Sequence, residues 1–322
     1  MSLLADLQKA LGGKVEQRSA LSARTSMRVG GAAEYLASPQ DEKALAQAID
    51  VCVQHAVPYQ VLGGGSNTIV SDEGVRGVVF RLAQKLVAEE ISASGERAVF
   101  KVSAGAPLSR LMAAARARDC VGMEFLAGIP GTVGGAVAMN AGTSKGSAGQ
   151  LCREVGVCEP GRARTVPAEE VGFAYRRTLL PAHAVITWAR FELVVGDLND
   201  VQRSRLAVED DLAKRRRTQP QGLPSAGSVF RNPPGDFAGR LLQASGLKGK
   251  RVGGAQVSEI HANFIVNRGE ATAAEVLRLM RQMQEAVLES SGVLLVPEVK
   301  LMGDFDPAEL PRGLGLPREP AA

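Results

Sequence analysis

Two glycine-rich stretches of this sequence could hold a flat or phosphorylated cofactor through their main chain. The longer stretch runs from Gly122 to Gly142 and consists almost entirely of glycine and small or apolar residues. The shorter one, Leu62–Thr68, follows a strand-like run and contains three consecutive glycines. Glycine reaches positive φ at little cost and lets N–H groups approach a ligand without an intervening Cβ. Two such stretches in one chain favour a large cofactor over tightly packed loops without a ligand.

The shorter stretch matches neither of the common nucleotide-binding glycine motifs. It lacks the Gly-Lys-Ser/Thr ending of a P-loop, and it is not G-x-G-x-x-G at the start of a helix. Its successive N–H groups could nonetheless form an anion-binding concavity. Ser66 and Asn67 could add side-chain donors to a pyrophosphate.

Ser228 and Glu298 are two polar residues that could belong to a site. Ser228 follows Gly227 but lacks the Gly-x-Ser-x-Gly context of a nucleophile elbow, so a turn serine remains the alternative. Period-two geometry puts Glu298 and Lys300 on one face of an apolar strand. That face meets either a site or solvent.

Arginines at two places could bind an anionic substrate. Arg176, next to Tyr175, could clamp a carboxylate through two parallel N–H bonds, or could be a surface residue. The run Lys214–Arg217 closes a predicted helix, where cations interact favourably with the helix dipole, and it would also attract a diphosphate.

Helices and strands in alternation must position these groups. The hydrophobic pattern predicts helices over 3–11, from Pro39 to Cys52, from Pro107, over 199–215 and from Thr272 to Gly292. Strands are predicted at 34–37, 59–62, 77–82, 98–102, 154–158, 185–195, 261–267 and 293–301. The change of character near 196–200 indicates a domain boundary.

Composition excludes several classes of function. The 322 residues are 45% hydrophobic and 22% charged, with a net charge of +4, too weak to indicate nucleic acid binding. The four cysteines, Cys52, Cys120, Cys152 and Cys158, have no C-x-x-C spacing, and histidines are few, so no metal site is expected. Scattered cysteines and the lack of a long apolar run predict a cytoplasmic protein that does not insert into a membrane.

An ordered set of motifs from residue 25 to about 302 resembles the UDP-N-acetylenolpyruvoylglucosamine reductase family. The matching segments are Arg28–Gly31, Leu62–Asn67, Gly128–Ala136, Asn140–Gly142, Tyr175–Arg176, Ser225–Pro234, Gly254–Ser258, His261–Phe264 and Pro297–Lys300. The resemblance implies an α+β protein with an FAD-binding domain of the vanillyl-alcohol-oxidase (PCMH) type in two lobes, and an α+β substrate-binding domain. The expected units are an N-terminal helix (1–20), the FAD-binding domain (21–197, with lobes 21–82 and 83–197), the substrate-binding domain (198–303) and a flexible tail (304–322).

The resemblance also implies the reaction and its cofactors. NADPH reduces a non-covalently bound FAD, which then reduces the enolpyruvyl double bond of UDP-N-acetylglucosamine enolpyruvate to UDP-N-acetylmuramate for peptidoglycan synthesis. The residues it assigns to FAD binding are Gly63, Gly64, Gly65, Ser66, Asn67, Gly128, Ile129, Pro130, Gly131, Thr132, Gly134, Gly135, Ala136, Asn140 and Gly142. We expect a monomer.

Three residues match the family's catalytic positions. Hydride from flavin N5 adds to the terminal carbon of the enol ether, and charge builds on the neighbouring carboxylate. Arg176 and Glu298 match the groups that stabilise this charge, and Ser228 matches the proton donor to C2. Glu298 can assist only if it is protonated or hydrogen-bonded to the intermediate. Tyr175, Arg217, Asn232 and Lys300 are the expected contacts to the UDP-sugar.

The chain departs from the family's long form in one respect. Long-form members carry an inserted loop with a tyrosine that closes over the UDP group, whereas no tyrosine lies between Arg176 and Ser228 here. The chain therefore resembles the short form, which leaves open what covers its substrate.

Two other functions remain as alternatives. A flavin-dependent oxidase of a sugar or lactone would share the fold, although no histidine for covalent flavin attachment lies in either glycine stretch. A nucleotide- or RNA-binding module using Arg215–Arg217 would instead show steeply salt-dependent RNA retention and no chromophore.

Overall fold

The computed structural model describes residues 2–13, 15–83, 89–90 and 96–314. They form a first lobe (2–83), a second lobe (89–218) and a C-terminal domain (219–314), each mixing helices with strands. Among these residues no helix has the length and apolar character needed to cross a membrane.

The first lobe is a four-stranded sheet covered by two helices. Its elements are α1 (Leu3–Leu11), β1 (Val15–Ala20), β2 (Ala32–Ala37), α2 (Glu42–Gln54), β3 (Tyr59–Val61), β4 (Thr68–Val70) and β5 (Val75–Phe80). The sheet order is β1-β2-β5-β3, with β2 and β3 parallel to β5. Helix α2 begins at Glu42, later than predicted, because Asp41 rather than Ser38 caps it by accepting from Ala44 N. Its predicted apolar face is buried as expected.

The second lobe is built around the long strand β13. Its elements are β6 (Glu89–Glu90), β7 (Arg97–Ser103), α3 (Leu108–Arg116), β8 (Cys120–Val121), α4 (Val133–Ala138), β9 (Gly142–Thr143), β10 (Gly146–Ser147), α5 (Ala148–Leu151), β11 (Cys152–Glu159), β12 (Arg162–Pro167), α6 (Ala168–Val171), β13 (Val185–Val195) and α7 (Leu198–Thr218). The antiparallel order is β12-β11-β13-β7-β6, and β8 pairs with the end of β13. Burial alternates along β13, as its sequence predicts.

The C-terminal domain packs a small antiparallel sheet against a long helix. Its elements are β14 (Ser225–Ser228), α8 (Ala238–Ala244), β15 (Arg251–Val252), β16 (Ala255–Val257), β17 (Phe264–Asn267), α9 (Ala273–Ser291) and β18 (Lys300–Met302). Thr272 and Glu275 form the predicted capping box of α9, and Gly292 ends the helix at φ +70°. The predicted apolar face of α9 is fully buried in the domain core.

Helix α7 packs on the second lobe, whereas the sequence analysis assigned it to the substrate-binding domain. The Ser204 hydroxyl donates to Glu124, and Lys145 Nζ lies 2.8 Å from Asp211 Oδ1. Only Val201 among its residues is buried, so the helix lies on the surface of the lobe.

The last predicted strand is much shorter than expected. Over 293–299 the chain makes one isolated bridge, between Phe230 and Pro297, and regular pairing begins at Lys300. There β18 runs parallel to β4 of the first lobe rather than joining the domain's own sheet. The C-terminal domain is therefore connected to the first lobe through this pairing.

Part of the segment expected to be a flexible tail is packed. Leu310 and Leu314 contact the C-terminal core, and the amide of Arg312 donates to Gln284 Oε1 at 2.8 Å. Residues 315–322 of the predicted tail lie outside the described residues.

Candidate active site

Three distant segments meet where the first glycine loop enters β4. Asn67 Nδ2 donates to the carbonyl of Glu298 at 3.1 Å, and Lys300 N donates to the carbonyl of Asn67 at 2.9 Å. On the other side, Glu298 N donates to the carbonyl of Val229 at 2.8 Å. These bonds fix Glu298 between the glycine loop and the strand that carries Ser228.

Arg176 of the second lobe completes this cluster. Its Nε lies 2.9 Å from Glu298 Oε1, although the geometry is that of an ion pair rather than a hydrogen bond. One terminal nitrogen donates to the carbonyl of Gly142 at 3.0 Å. The side chains of Arg176 and Glu298 are only 23% and 14% exposed, so their charges interact with little screening.

Burial raises the pKa of the Glu298 carboxyl above its ordinary value. The positive charges of Arg176, Arg231 and Lys300 oppose this shift but do not cancel it. Desolvation therefore dominates, and it favours the protonated carboxyl. Burial and the neighbouring Arg231 also lower the pKa of the Lys300 ammonium.

Arg231 belongs to this electrostatic cluster, although the sequence analysis did not select it. Its Nε is buried and has no hydrogen-bond partner among the described residues. Its main-chain N–H donates to the carbonyl of Val296 at 2.8 Å, which places it beside the segment leading to Glu298. The sequence feature that could have identified Arg231 is its position three residues after Ser228, within the segment Ser225–Pro234 that resembles the family.

Ser228 is held by main-chain contacts of the residues that follow it. It pairs with Phe264 across the sheet, after Gly227 at φ +74°. The buried amide of Asn263 accepts from Phe230 N at 3.0 Å and donates to the Phe230 carbonyl at 2.8 Å. This bidentate contact holds the segment directly after Ser228, where the Val229 carbonyl accepts from Glu298 N.

The two glycine loops pack directly against each other. A Cβ on Gly64 would lie 2.7 Å from Gly131 Cα, and one on Gly63 would lie 2.8 Å from Thr132 Oγ1. The Ser66 hydroxyl donates to the carbonyl of Pro130 at 3.1 Å. Only residues without a side chain permit this approach, which explains the glycine pairing across the loops.

The residues around these loops fit FAD. Among the described residues, the N–H groups of Gly64, Gly65 and Ser66 form no hydrogen bond to protein, so they are free to bind an anion. A cavity of about 170 Å³ lies between the two lobes, lined by Gly63, Thr132, Gly134 and Gly135 and by apolar side chains of both lobes. A second cavity, of about 570 Å³, is lined by Gly64, Arg24, Thr25, Ser26 and Arg28. Arg81 lines both cavities.

Several residues expected to bind FAD have structural contacts instead. Ala136 is buried in the core of the second lobe, and Ile129, which is partly buried, packs against the same core. A Cβ on Gly128 would lie 2.9 Å from Cδ of Arg215 on α7. Asn140 and Gly142 contact the segment that carries Arg176. FAD binding by these residues stays a prediction.

The four residues expected to contact the substrate differ in their exposure and in their distance along the chain from the Arg176–Glu298 cluster. Tyr175 is 58% exposed beside Arg176, and Lys300 lies in the cluster with Glu298 and Arg231. Asn232 Oδ1 accepts from Ala238 N at 3.1 Å, so it organises the start of α8.

Arg215 is less exposed than Arg217. Arg217 is exposed near the end of α7. Arg215 packs against Gly128 of the longer glycine stretch, and burial, together with the charge of Arg176, lowers the pKa of its guanidinium.

The described residues contain no group of three or more His, Cys, Asp or Glu side chains that could hold a metal ion.

Two family models match consecutive parts of the chain. Residues 33–160 match a model described as an FAD binding domain, and residues 219–302 match the C-terminal domain of UDP-N-acetylenolpyruvoylglucosamine reductase. Helix α7 lies between the two matched ranges.

Curated relatives and a solved structure cover nearly the whole chain. A UDP-N-acetylenolpyruvoylglucosamine reductase of Anaeromyxobacter sp. (strain Fw109-5) is 48% identical over 306 residues, 95% of this chain and 94% of that protein. The Myxococcus xanthus (strain DK1622) protein of the same name is 46% identical, over 94% of this chain and 97% of its own. The crystal structure of the Thermus caldophilus reductase is 37% identical, with a TM-score of 0.77 over 90% of this chain and 99% of that one. These matches confirm the expected α+β fold with its PCMH-type FAD-binding domain.

Proposed function

The chain belongs to the UDP-N-acetylenolpyruvoylglucosamine reductase family, and from this we propose how its residues carry out the reaction. The enzyme uses NADPH and FAD to reduce the enolpyruvyl double bond of UDP-N-acetylglucosamine enolpyruvate, giving UDP-N-acetylmuramate for peptidoglycan synthesis. FAD, when bound, supplies the hydride that it has received from NADPH. We assign the remaining work to Arg176, Glu298 and Ser228.

Arg176 and Glu298 stabilise the negative charge that builds on the substrate carboxylate. The guanidinium of Arg176 is anchored at the Gly142 carbonyl, so it is oriented before the substrate arrives. The raised pKa of Glu298 favours the protonated carboxyl, which can donate a hydrogen bond to that carboxylate instead of repelling it.

Ser228 delivers the proton to C2 of the substrate. Ser228 directly precedes Val229, whose carbonyl accepts from the main-chain amide of Glu298. The main chains of the proton donor and of the charge-stabilising acid are therefore hydrogen-bonded to each other at neighbouring residues. A serine hydroxyl is a weak acid, yet a carbanion-like carbon is basic enough to take its proton when the geometry is right.

The contact of Arg176 with Glu298 is the observation that carries this proposal. It brings together a cation of the second lobe and a neutralisable acid of the C-terminal domain, beside the serine strand and the glycine loops. For the UDP group we propose Lys300 and Tyr175 as contacts, and Arg215 in place of Arg217 because Arg215 packs against Gly128 and is the less exposed of the two.

The proposed role of Ser228 is tested by separating the two half-reactions. In Ser228→Ala, NADPH should still bleach the bound flavin at the wild-type rate, while reoxidation by the enolpyruvyl substrate slows by about 10²-fold or more. Ser225→Ala on the same strand is the matched control. Reoxidation of the Ser228→Ala enzyme at the wild-type rate would contradict the assignment.

We further propose that the enzyme acts as a monomer in the cytoplasm. One chain supplies Arg176, Ser228 and Glu298, so the site does not need a second subunit. The free, buried cysteines suit a reducing compartment. Light scattering of the holoenzyme measures the mass, and fractionation of cells checks the compartment.

A further inference from the structure

The segment that carries Arg176 has an unusual main-chain conformation. Arg176 adopts φ +59°, in the left-handed region that non-glycine residues rarely occupy. Such a conformation is strained and persists only where surrounding contacts determine it. The neighbouring contacts should therefore include groups that hold Arg176 in place.

Asn140 provides two of these contacts with one side chain. Its Nδ2 donates to the carbonyl of Ala174 at 3.1 Å, and its Oδ1 accepts from the amide of Gly149 at 2.9 Å. The Ala174 carbonyl also accepts from Arg177 N at 3.2 Å, so both of its lone pairs are used. Asn140 thus ties the turn around Arg176 to the start of helix α5.

The conformation of Asn140 itself suits this task. It adopts φ +41°, and asparagine tolerates the left-handed region better than most residues. Two residues later, the Gly142 carbonyl accepts directly from the Arg176 guanidinium. The turn after α4 therefore holds the Arg176 segment at both its main chain and its side chain.

We propose that Asn140 is a positioning residue for Arg176, acting on the reduction of the enolpyruvyl substrate rather than on binding of FAD. This inference rests on the proposed role of Arg176. A misplacement of about 1 Å in a catalytic group can cost about 10²-fold in rate. Loss of the Asn140 contacts should therefore slow the step in which Arg176 acts and leave cofactor binding unchanged.

Two variants separate this role from folding. Asn140→Asp keeps the acceptor for Gly149 and tolerates positive φ, but removes the donor to Ala174. Asn140→Gly tolerates the same φ and removes both contacts. Gln150→Ala is the matched control, since Gln150 Oε1 accepts from Ser147 N at 2.9 Å in the same region without contacting the Arg176 segment.

Three measurements test the proposal on reconstituted holoenzyme. In both Asn140 variants, the FAD dissociation constant and the rate of flavin reduction by NADPH should stay within about twofold of wild type, while reoxidation by the enolpyruvyl substrate slows about 10- to 100-fold. In an Arg176→Ala background the same substitutions should cause no further slowing, because positioning acts through Arg176. Gln150→Ala should reoxidise as fast as wild type.

Other outcomes would overturn the inference. A loss of FAD affinity with normal reoxidation of the loaded enzyme would make Asn140 a cofactor ligand, as the sequence pattern suggests. Equal slowing with and without Arg176 would show that Asn140 acts independently. If Arg176→Ala alone left reoxidation unchanged, the proposed function of Arg176 would fail first, and this result is distinguishable from the other two.

Discussion

The Nε atom of Arg176 lies 2.9 Å from Oε1 of Glu298, which joins the second lobe to the C-terminal domain at the candidate site. The pair is unusual because the acid has a raised pKa in spite of its cationic neighbour. Glu298 can therefore be neutral at a pH where Arg176 remains charged. The two groups together offer a substrate carboxylate one cation and one neutral hydrogen-bond donor.

Arg176→Lys should impair the second half-reaction even though the charge is kept. An ammonium cannot present the planar fork of donors that binds both Gly142 and a carboxylate. We expect reoxidation to slow by about 10²–10³-fold, the scale seen when one charge-stabilising donor is lost. The measurement is stopped-flow reoxidation of the NADPH-reduced enzyme. Arg177→Ala, at the exposed neighbouring residue, is the control and should reoxidise at close to the wild-type rate. An Arg176→Lys enzyme that reoxidises as fast as wild type would show that the planar set of guanidinium donors is not essential.

Glu298→Gln should change how the stability of the cofactor-free protein depends on pH. Since the folded-state pKa of Glu298 is raised, its stabilising contribution is fully present below the unfolded value of 4.5 and is lost as pH rises through the folded pKa. The Gln variant does not titrate, so its free energy of unfolding relative to wild type should increase over that window and then level off. Urea unfolding at a series of pH values measures this difference. A difference that stays constant with pH would mean that the pKa is not raised.

Gly135→Ala should affect stability and cofactor affinity in opposite directions. The nearest protein atom to the added methyl group is Thr132 Oγ1 at 3.5 Å, an ordinary contact, and alanine in helix α4 should stabilise the cofactor-free protein by about 0.5–1 kcal/mol. The methyl group enters the cavity of about 170 Å³, where overpacking costs about 1–3 kcal/mol and so weakens FAD binding roughly tenfold or more. Thermal unfolding and fluorescence titration with FAD measure the two effects. Unchanged affinity would remove Gly135 from the cofactor site.

Asp72 should stabilise the junction between the first lobe and the C-terminal domain. Its carboxylate accepts from Ala273 N at 2.8 Å and from Ala274 N at 3.0 Å, at the first turn of α9. Asp72→Ala should lower the free energy of unfolding by about 1–2 kcal/mol, as loss of a helix cap does. Glu73→Ala, at the next exposed position, is the control for lost surface charge in denaturant unfolding. Equal effects of the two substitutions would argue against a capping role.

Local patterns were sufficient to predict the five longest helices of the described residues, whereas the family resemblance supplied the residues that meet at the site. The capping box and apolar face of α9 depend on neighbours in the sequence, and the structure has them as expected. Helix periodicity could also have separated Arg215 from Arg217. Arg215 lies seven residues after Val208 and three after Leu212, so it shares their face of the helix, whereas Arg217 is two positions further round the helix.

Long-range pairing was beyond reach of the sequence pattern. The apolar run over 293–301 suggested one strand, but residues before Lys300 find only an isolated bridge, while β18 pairs with a strand of the first lobe. The positive φ of Arg176 was also unpredictable, since its cause lies in tertiary contacts such as that of Asn140. The burial of Arg231 near Glu298 was likewise not predictable, because it depends on segments that only the fold brings together.

The parallel pairing of β4 with β18 also determines when the site can form during synthesis. Strand β4 directly follows the first glycine loop, yet its partner is made only when residues 300–302 leave the ribosome. Until then Asn67 lacks its contacts to Glu298 and Lys300, and the loop has no support on that side. An incomplete chain therefore contains both glycine stretches without a finished cofactor site, and we expect the redox cofactor to be acquired by the completed polypeptide.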